Sequence, residues 1–426
     1  MKVLFATAND GSFLHPMVSL AWALRTAGHE VRVANQAFAT PHVTGAGLTS
    51  VPVGRQTTAD RLLTAFRVTP EMLEEARPGL HPPYDVVDSP HQATWEGMLS
   101  GYAEDVERCK YENFPMIGGL VAFARNWQPD LIIWEPFTLA GPIAAKACGA
   151  AHARMLFGID VFGVARQRFL QLKAEQPAQR QADPLADWLG SYARKYGADF
   201  AEDMTCGQFT IDQYPPGLQV EAEGLDYLHS RYIPYGGKAT IPAWLHAAPE
   251  RPRVALTMGF TASGFFNGFG FSLQDVLDKL AGLDIEVVAV VDETERAKLD
   301  RVPDNARLRS WVPLDALAAT CSAAVNHAGG GTLSTFAIHG VPQLTLPYHF
   351  DEPILGRNLA ALGAGLCVQP SQATGEAVRD AVQRLLDEPA FRQGAMGLRD
   401  EMCDLPSPHQ LVGRLEELTT KYRTTD

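Results

Sequence analysis

The residues best suited to chemistry lie between Val325 and Glu352, V-N-H-A-G-G-G-T-L-S-T-F-A-I-H-G-V-P-Q-L-T-L-P-Y-H-F-D-E. A short apolar strand ending near Asn326 runs into His327, then Gly329, Gly330, Gly331 and Thr332, then a helical pattern that Gly340 and Pro342 stop. Glycines without a Cβ let a ligand approach the backbone, and the first amides of a helix have no intrahelical acceptor. Such a corner suits an anion, most naturally a phosphate. The helix dipole contributes only about 0.3–1 kcal/mol, so His327 is expected to add a hydrogen bond or a charge. Asp351 and Glu352 fall just past the next buried strand, Gln343 to Leu346, at the kind of strand end where parallel sheets bind ligands.

Holding that corner requires a parallel sheet, and the hydrophobic pattern supplies the start of one twice. Lys2 to Ala8 is an apolar strand, Met17, Leu20, Ala21 and Leu24 recur at helical spacing, and Val31 to Ala34 is a second strand. Between Arg55 and about Ile117 the alternation lapses. Thr69-Pro70 and Ser89-Pro90 there read as helix starts, and Trp95, Met98, Leu99, Tyr102 and Val106 form an apolar stripe. Strands return at Trp127–Glu135 and at His152–Phe157, the latter ending in Gly158-Ile159-Asp160. Residues 233–252 have the Pro/Gly-rich composition of a linker, and Val254 to Met258 opens a second alternation. The chain thus divides into 1–232, 233–252, 253–405 and a tail, 406–426, whose Leu411, Leu415 and Leu418 are spaced as a helix.

A length of 426 residues fits two α/β domains, and 46% apolar with 20% charged residues is ordinary for a globular protein. No window approaches ~18 uninterrupted apolar residues, and the first apolar run is cut by Asn9-Asp10-Gly11 too early for a secretory signal, so a cytoplasmic protein is expected. A net charge of −13 argues against nucleic acid or anionic membranes as partners. Six cysteines without C-x-x-C spacing suggest neither a zinc site nor a disulfide framework. No D-x-D pair offers a divalent cation to a diphosphate, so no metal is expected and a leaving group must be stabilised by amides, His327 and Thr332.

The string H-A-G-G-G-T, followed by G-V-P-Q-L-x-L-P and an acidic pair, resembles the nucleotide-sugar signature of glycosyltransferases with the GT-B fold. More closely, it resembles the antibiotic glycosyltransferases that decorate polyketides with deoxysugars from dTDP donors. The resemblance extends from Met1 to about Ser407. It implies two Rossmann-like doubly wound domains facing a central cleft, with the last helix crossing back to the first domain. It also implies that His327 contacts the diphosphate, that Gly330, Gly331 and Thr332 bind the phosphates, and that Asp351 and Glu352 read sugar hydroxyls. The segment Ser310-Trp311-Val312-Pro313-Leu314 is similar to the base-binding stretch, with Val312 pairing through its backbone and Trp311 beside the base. Thr257, Thr261 and Ser263, at or after the first strand of the second half, could donate to phosphate or sugar oxygens. Arg125–Pro136 resembles a subgroup that works with a haem-free, cytochrome-like activator protein, for which the helical excursion 55–117 would be the docking surface; the other reading of the excursion is a helical segment packed on its own domain.

Glycosyl transfer also needs a base for the acceptor's proton. Relatives usually carry S-H-x-x-P in the first loop, whereas this chain reads Ser12-Phe13-Leu14-His15-Pro16. Phe13 cannot take a proton and is expected to face the acceptor. His15, Asp160 and Asp10 are the candidate bases, Asp160 because C-glycosyltransferases of aromatic polyketides are similar in using an Asp in a G-x-D stretch. An aspartate near its reference pKa of about 4 is a weak base, which favours a phenolic acceptor. The expected activity is inverting, metal-independent and free of bound cofactor, the dTDP-sugar being a co-substrate and a hydrophobic polyketide or aromatic aglycone the acceptor, by O- or C-glycosylation. The alternatives are a nucleotide-sugar 2-epimerase and a catalytically weak partner of another transferase. An NAD-binding protein is disfavoured, since no G-x-G-x-x-G follows Ala8 or Met258. The sequence leaves open whether the protein is a homodimer.

Overall fold

The structure is a computed structural model that describes residues 1–7, 11–55, 69, 79–259 and 268–424. Runs such as V-L-F-A and L-I-I-W have no polar face, so they become central strands covered on both sides. In the first half the strands are β1 (Lys2–Ala6), β2 (Glu30–Asn35), β3 (Ser50–Pro52), β4 (Leu131–Trp134), β5 (Ala151–Met155), β6 (Thr210–Asp212) and β7 (Tyr227–His229). They form a parallel sheet in the order β3-β2-β1-β4-β5-β6-β7. The second half contributes β8 (Arg253–Thr257), β9 (Glu286–Val290), β10 (Ala306–Arg309), β11 (Ala323–Asn326), β12 (Gln343–Thr345) and β13 (Gly365–Cys367), parallel in the order β10-β9-β8-β11-β12-β13. Each sheet reverses its winding once, between β1 and β4 and between β8 and β11. The carboxyl ends of those pairs are where crevices open in such sheets.

Two helices start elsewhere than the sequence suggests. The helix after β1, α1 (Gly11–Thr26), begins ahead of Pro16 and carries it inside. Proline's φ is already helical, and near the start it costs one rung of the hydrogen-bond ladder. The helical excursion contains one long helix, α2 (Trp95–Trp127), capped by the Thr94 hydroxyl accepting from the Gly97 amide at 3.1 Å. Ser89-Pro90 opens only a short 3₁₀ turn, Pro90–Gln92, because Ala93 and Thr94 are extended. The expected start at Thr69-Pro70-Glu71 falls largely outside the described residues. The stripe Trp95, Met98, Tyr102 and Val106 is buried with Ile132, Trp134 and Phe169, so this face of α2 belongs to the core of the first domain.

The remaining helices that position the cleft are α3 (Val161–Ala174), α4 (Gly330–Ile338), α5 (Glu352–Ala361) and α6 (Val412–Tyr422). The last one crosses back to the first domain as expected. Leu411, Val412, Leu415 and Leu418 pack in one core with Phe5, Ile133 and Phe209, and Tyr422 stacks on Phe209 with centroids 6.3 Å apart. A separate apolar seam joins the halves, with Ile159, Val161, Tyr214, Leu218 and Tyr232 from the first against Leu333, Ile354, Leu355 and Leu359 from the second. All six cysteines are free. Among the described residues no helix is long and apolar enough to cross a membrane.

Candidate active site in the cleft

The carboxyl end of β11 delivers Asn326 and His327, and the backbone turns at Ala328 (φ 66°) into α4. Asn326 Oδ1 accepts from the Ala328 amide at 2.8 Å and fixes that turn. Gly329 is the N-cap of α4 and supplies no side chain to its first amides. A Cβ on Gly329 would lie 2.1 Å from His327 Nε2, so the imidazole lies across the position where any other residue would project. On the Gly330 side the Tyr214 hydroxyl stands where a Cβ would be, 2.0 Å from it, while Gly331 is exposed and Thr332 half-buried. The corner is therefore narrowed on one flank and open on the other.

His327 is only 7% exposed, and burial pushes its pKa down to about 4 against a small opposing pull from the Thr257 backbone. The ring is neutral at pH 7 and, before ligand arrives, offers a hydrogen bond rather than a charge. Its Nδ1 has no hydrogen-bond partner among the described residues, and its face stacks on Tyr348 at 5.8 Å. Buried nitrogens are normally satisfied, which makes an unspent one beside unspent helix amides notable. Thr257 ends β8 next to this ring and is buried. Asp10, Thr261 and Ser263 lie outside the described residues. Trp311, just past β10, is 43% exposed, whereas Val312 is buried against Leu245 and Val288.

The acidic pair sits across from the first domain. Asp351 Oδ2 accepts from the Ile159 amide at 3.1 Å, and burial raises its pKa to about 6. Glu352 Oε2 accepts from the Tyr348 and His349 amides at 3.1 and 3.0 Å, which fixes the turn before α5. Its Oε1 lies 3.8 Å from His327 Nε2. Burial drives this carboxyl well up and the ring down, so the two meet as groups that burial pushes toward neutrality and not as an ion pair. One cluster of the described residues has metal-ligand types within 4.8 Å of one another, Asp212, Glu221 and His229. It lies on β6, the edge strand β7 and the segment between them, and the Asp212 oxygens already accept from the Tyr214 amide and Gln219.

Facing the corner is a wall of half-buried aromatic rings. Phe13, at the start of α1, packs on Phe137 and Phe157 at 5.4 and 4.7 Å. Phe162 joins them, with Tyr84 at 5.0 Å, and Phe350 reaches in from the second domain at 6.0 Å from Phe162. Phe13 was singled out by the altered loop string. The other five were not, although Phe137 and Phe157 follow the ends of β4 and β5 and could have been flagged for that position.

The geometry shows where two of the candidate bases sit. Asp160 is completely buried and caps α3, with Oδ1 accepting from Gly163 N at 2.8 Å. Its Oδ2 takes Arg154 Nη2 and the Tyr227 hydroxyl, the latter at 2.6 Å. Three donors inside the protein already hold this carboxylate, and with no exposed surface it offers no opening to an acceptor. His15 lies on the opposite side of α1 from Phe13, edge-on to Tyr235 at 5.5 Å, because two residues turn a helix by roughly 200°.

The chain is similar along nearly its whole length to known proteins. Sequence patterns described as the N-terminal and C-terminal domains of erythromycin biosynthesis protein CIII-like proteins match residues 22–259 and 274–418. The chain is 42% identical to the 10-deoxymethynolide desosaminyltransferase of Streptomyces venezuelae, over 99% of this chain and 98% of that one. It is 40% identical to the aclacinomycin-T 2-deoxy-L-fucose transferase of Streptomyces galilaeus, over 99% and 97%. Among solved structures, the glycosyltransferase VinC in complex with dTDP superposes with a TM-score of 0.87 at 37% identity, covering 99% of this chain and 100% of that one.

Proposed function

This chain belongs to the erythromycin biosynthesis protein CIII-like glycosyltransferases with the GT-B fold, and from that premise we propose an inverting, metal-independent transfer of a deoxysugar from a dTDP-sugar to a polyketide or aromatic aglycone. The acceptor oxygen attacks the anomeric carbon, the bond from that carbon to the diphosphate breaks, and the electron pair leaves with the nucleoside diphosphate. Charge develops on the departing phosphate, and preorganised donors aimed at it do most of the work. The observation that carries this reading is the pairing of uncapped α4 amides with a neutral, partly unsatisfied His327 at the winding reversal of the second sheet. Opposite them, the Phe13–Phe137–Phe157 wall suits a flat or greasy acceptor, since aromatic rings bind apolar surface with an orientation preference.

Inversion follows from attack on the face opposite the diphosphate, which a donor corner on one domain and an acceptor wall on the other favours. C-glycosylation belongs to the reading if the acceptor is a phenol, and it is distinguished from O-transfer by an acid-stable product linkage. An auxiliary activator protein is a further part of the proposal. Phe114, 69% exposed on α2, is an apolar group such a partner would cover. The test is to incubate the protein with a dTDP-deoxysugar and a panel of macrolactone and polyphenolic aglycones and to look for the conjugate by mass spectrometry. A conjugate supports the reading. Consumption of donor without any conjugate, as an epimerase would give, overturns it.

A further inference from the structure

Five of the six half-buried rings on the aromatic wall belong to the first half of the chain, and one, Phe350, arrives from the second. The five hang from elements around the first sheet. Phe13 is in the first turn of α1, Phe137 and Phe157 follow β4 and β5, Phe162 is in the first turn of α3, and Tyr84 opens the 3₁₀ turn Tyr84–Val87. Phe350 instead sits in the turn between β12 and α5, next to Asp351 and Glu352. One short turn therefore carries both the carboxylates expected at the sugar and a ring of the opposite wall.

The backbone at Phe350 is left-handed, with φ 48°. In that region a Cβ crowds the backbone, so Gly, Asn or Asp is the usual occupant and a bulky aromatic residue is an outlier. The turn is held from both sides. Ahead of Phe350, Glu352 Oε2 takes the Tyr348 and His349 amides, and after it Asp351 Oδ2 takes the Ile159 amide at 3.1 Å. Asp351 comes so near the first half that a Cβ on Gly158 would lie 2.2 Å from the same oxygen. Strain of this kind persists where the surroundings over-determine it, and it clusters at ligand clamps.

The ring goes to the wall. Its centroid lies 6.0 Å from Phe162, 6.2 Å from Phe137 and 6.2 Å from Tyr84. These contacts are longer than the 4.7 Å between Phe13 and Phe157 or the 5.4 Å between Phe137 and Phe157. Phe350 rests on the edge of the cluster and is not wedged into it. All six rings stay half-buried, so they keep apolar faces and edges to offer a ligand.

We propose that Phe350 is a specificity-determining residue for the acceptor, a ring that the donor-binding half lays against the aglycone. The inference rests on the transfer reading above. The first half supplies the wall on which the aglycone packs, and Phe350 closes the space in front of it. The size and flatness of the side chain at this position then limit which aglycones fit between the two. Because Asp351 is the next residue, an aglycone that seats Phe350 correctly also steadies the turn that faces the sugar.

The test uses the first aglycone that the parent enzyme glycosylates, with Phe350→Gly and Phe350→Tyr variants. Glycine is at ease at this φ, so the first variant removes the ring without straining the turn. Phe350→Gly is expected to raise the KM for the aglycone about 10–100-fold, the worth of one aromatic ring withdrawn from apolar contact, while calorimetric affinity for dTDP stays level. Phe350→Tyr, which keeps the ring, should hold that KM within a few-fold of the parent's. A ring that served only to pack the two halves together would leave the KM for the aglycone unmoved or weaken dTDP affinity along with it. Either of those results, or a Phe350→Tyr enzyme as impaired as Phe350→Gly, overturns the assignment of Phe350 while leaving the transfer reading intact. A parent enzyme that glycosylates no aglycone overturns the transfer reading itself.

Discussion

The two walls of the cleft are built in different ways. The donor corner is made of backbone, a short contiguous run in which a strand end, bare glycines and a helix start follow one another from Asn326 to Thr332. The acceptor wall is made of side chains drawn from Phe13, Tyr84, Phe137, Phe157, Phe162 and Phe350, which only the folded sheet brings together. A backbone site tolerates little change, because its donors are fixed by the fold. A side-chain wall can be re-cut one ring at a time. The difference teaches that the nucleotide end of the reaction should be sensitive to few positions and the aglycone end tunable at many.

The sharpest way to break that contrast is to strike the scaffold beneath the acceptor wall. Asp160→Asn leaves Arg154 uncompensated in a fully buried position, and stability should fall by about 3–5 kcal/mol, read as a lowered thermal or denaturant midpoint. An unchanged midpoint would mean that Asp160 is not structural and would return it to the list of bases. Next in size is the donor corner. His327→Ala should cost about 10²–10³ in kcat, as for a lost electrostatic donor at a developing negative charge. Activity near the parent's would remove His327 from the diphosphate site.

Smaller effects separate the walls. Phe13→Ala removes a ring worth roughly 1.5–3 kcal/mol of buried apolar contact, so the KM for the aglycone should rise about 10–100-fold while calorimetric dTDP affinity stays level. Loss of dTDP affinity instead would show that the two walls are not independent. The smallest effect expected is a proton linkage. His327 is held near pKa 4 without ligand, and a diphosphate beside it favours the charged ring, so the bound pKa lies higher. Between those two values binding takes up a proton, and dTDP affinity should weaken as pH rises through the bound pKa. Titrations in buffers of different ionisation enthalpy measure that uptake directly, and none at pH 5–7 would rule it out.

The same contrast explains what could be read before folding. The strand–turn–helix of the donor corner and the doubled α/β alternation are local patterns, written in consecutive residues, and both are present. The crossing helix came from resemblance and is seated by Leu411, Leu415 and Leu418. What escaped depends on distance along the chain. The role of Asp160 is set by Tyr227, 67 residues away, and by an arginine inside a strand, a place where charge is rarely expected. The stripe on α2 identified a helix, and of the two readings of its excursion the packing on its own domain is the one this face shows, since it meets the first domain's core.

Asp351 reaches from the second half to the Ile159 amide of the first, so the carboxylate expected to grip the sugar has its orientation set by a loop it is not covalently near. Modularity in this scaffold is therefore incomplete. A chimera that grafts residues 253–405 onto a different first half would carry the His327–Thr332 corner intact yet inherit a foreign alignment at Asp351, and the proposed sugar preference would not follow the graft as a separable cassette.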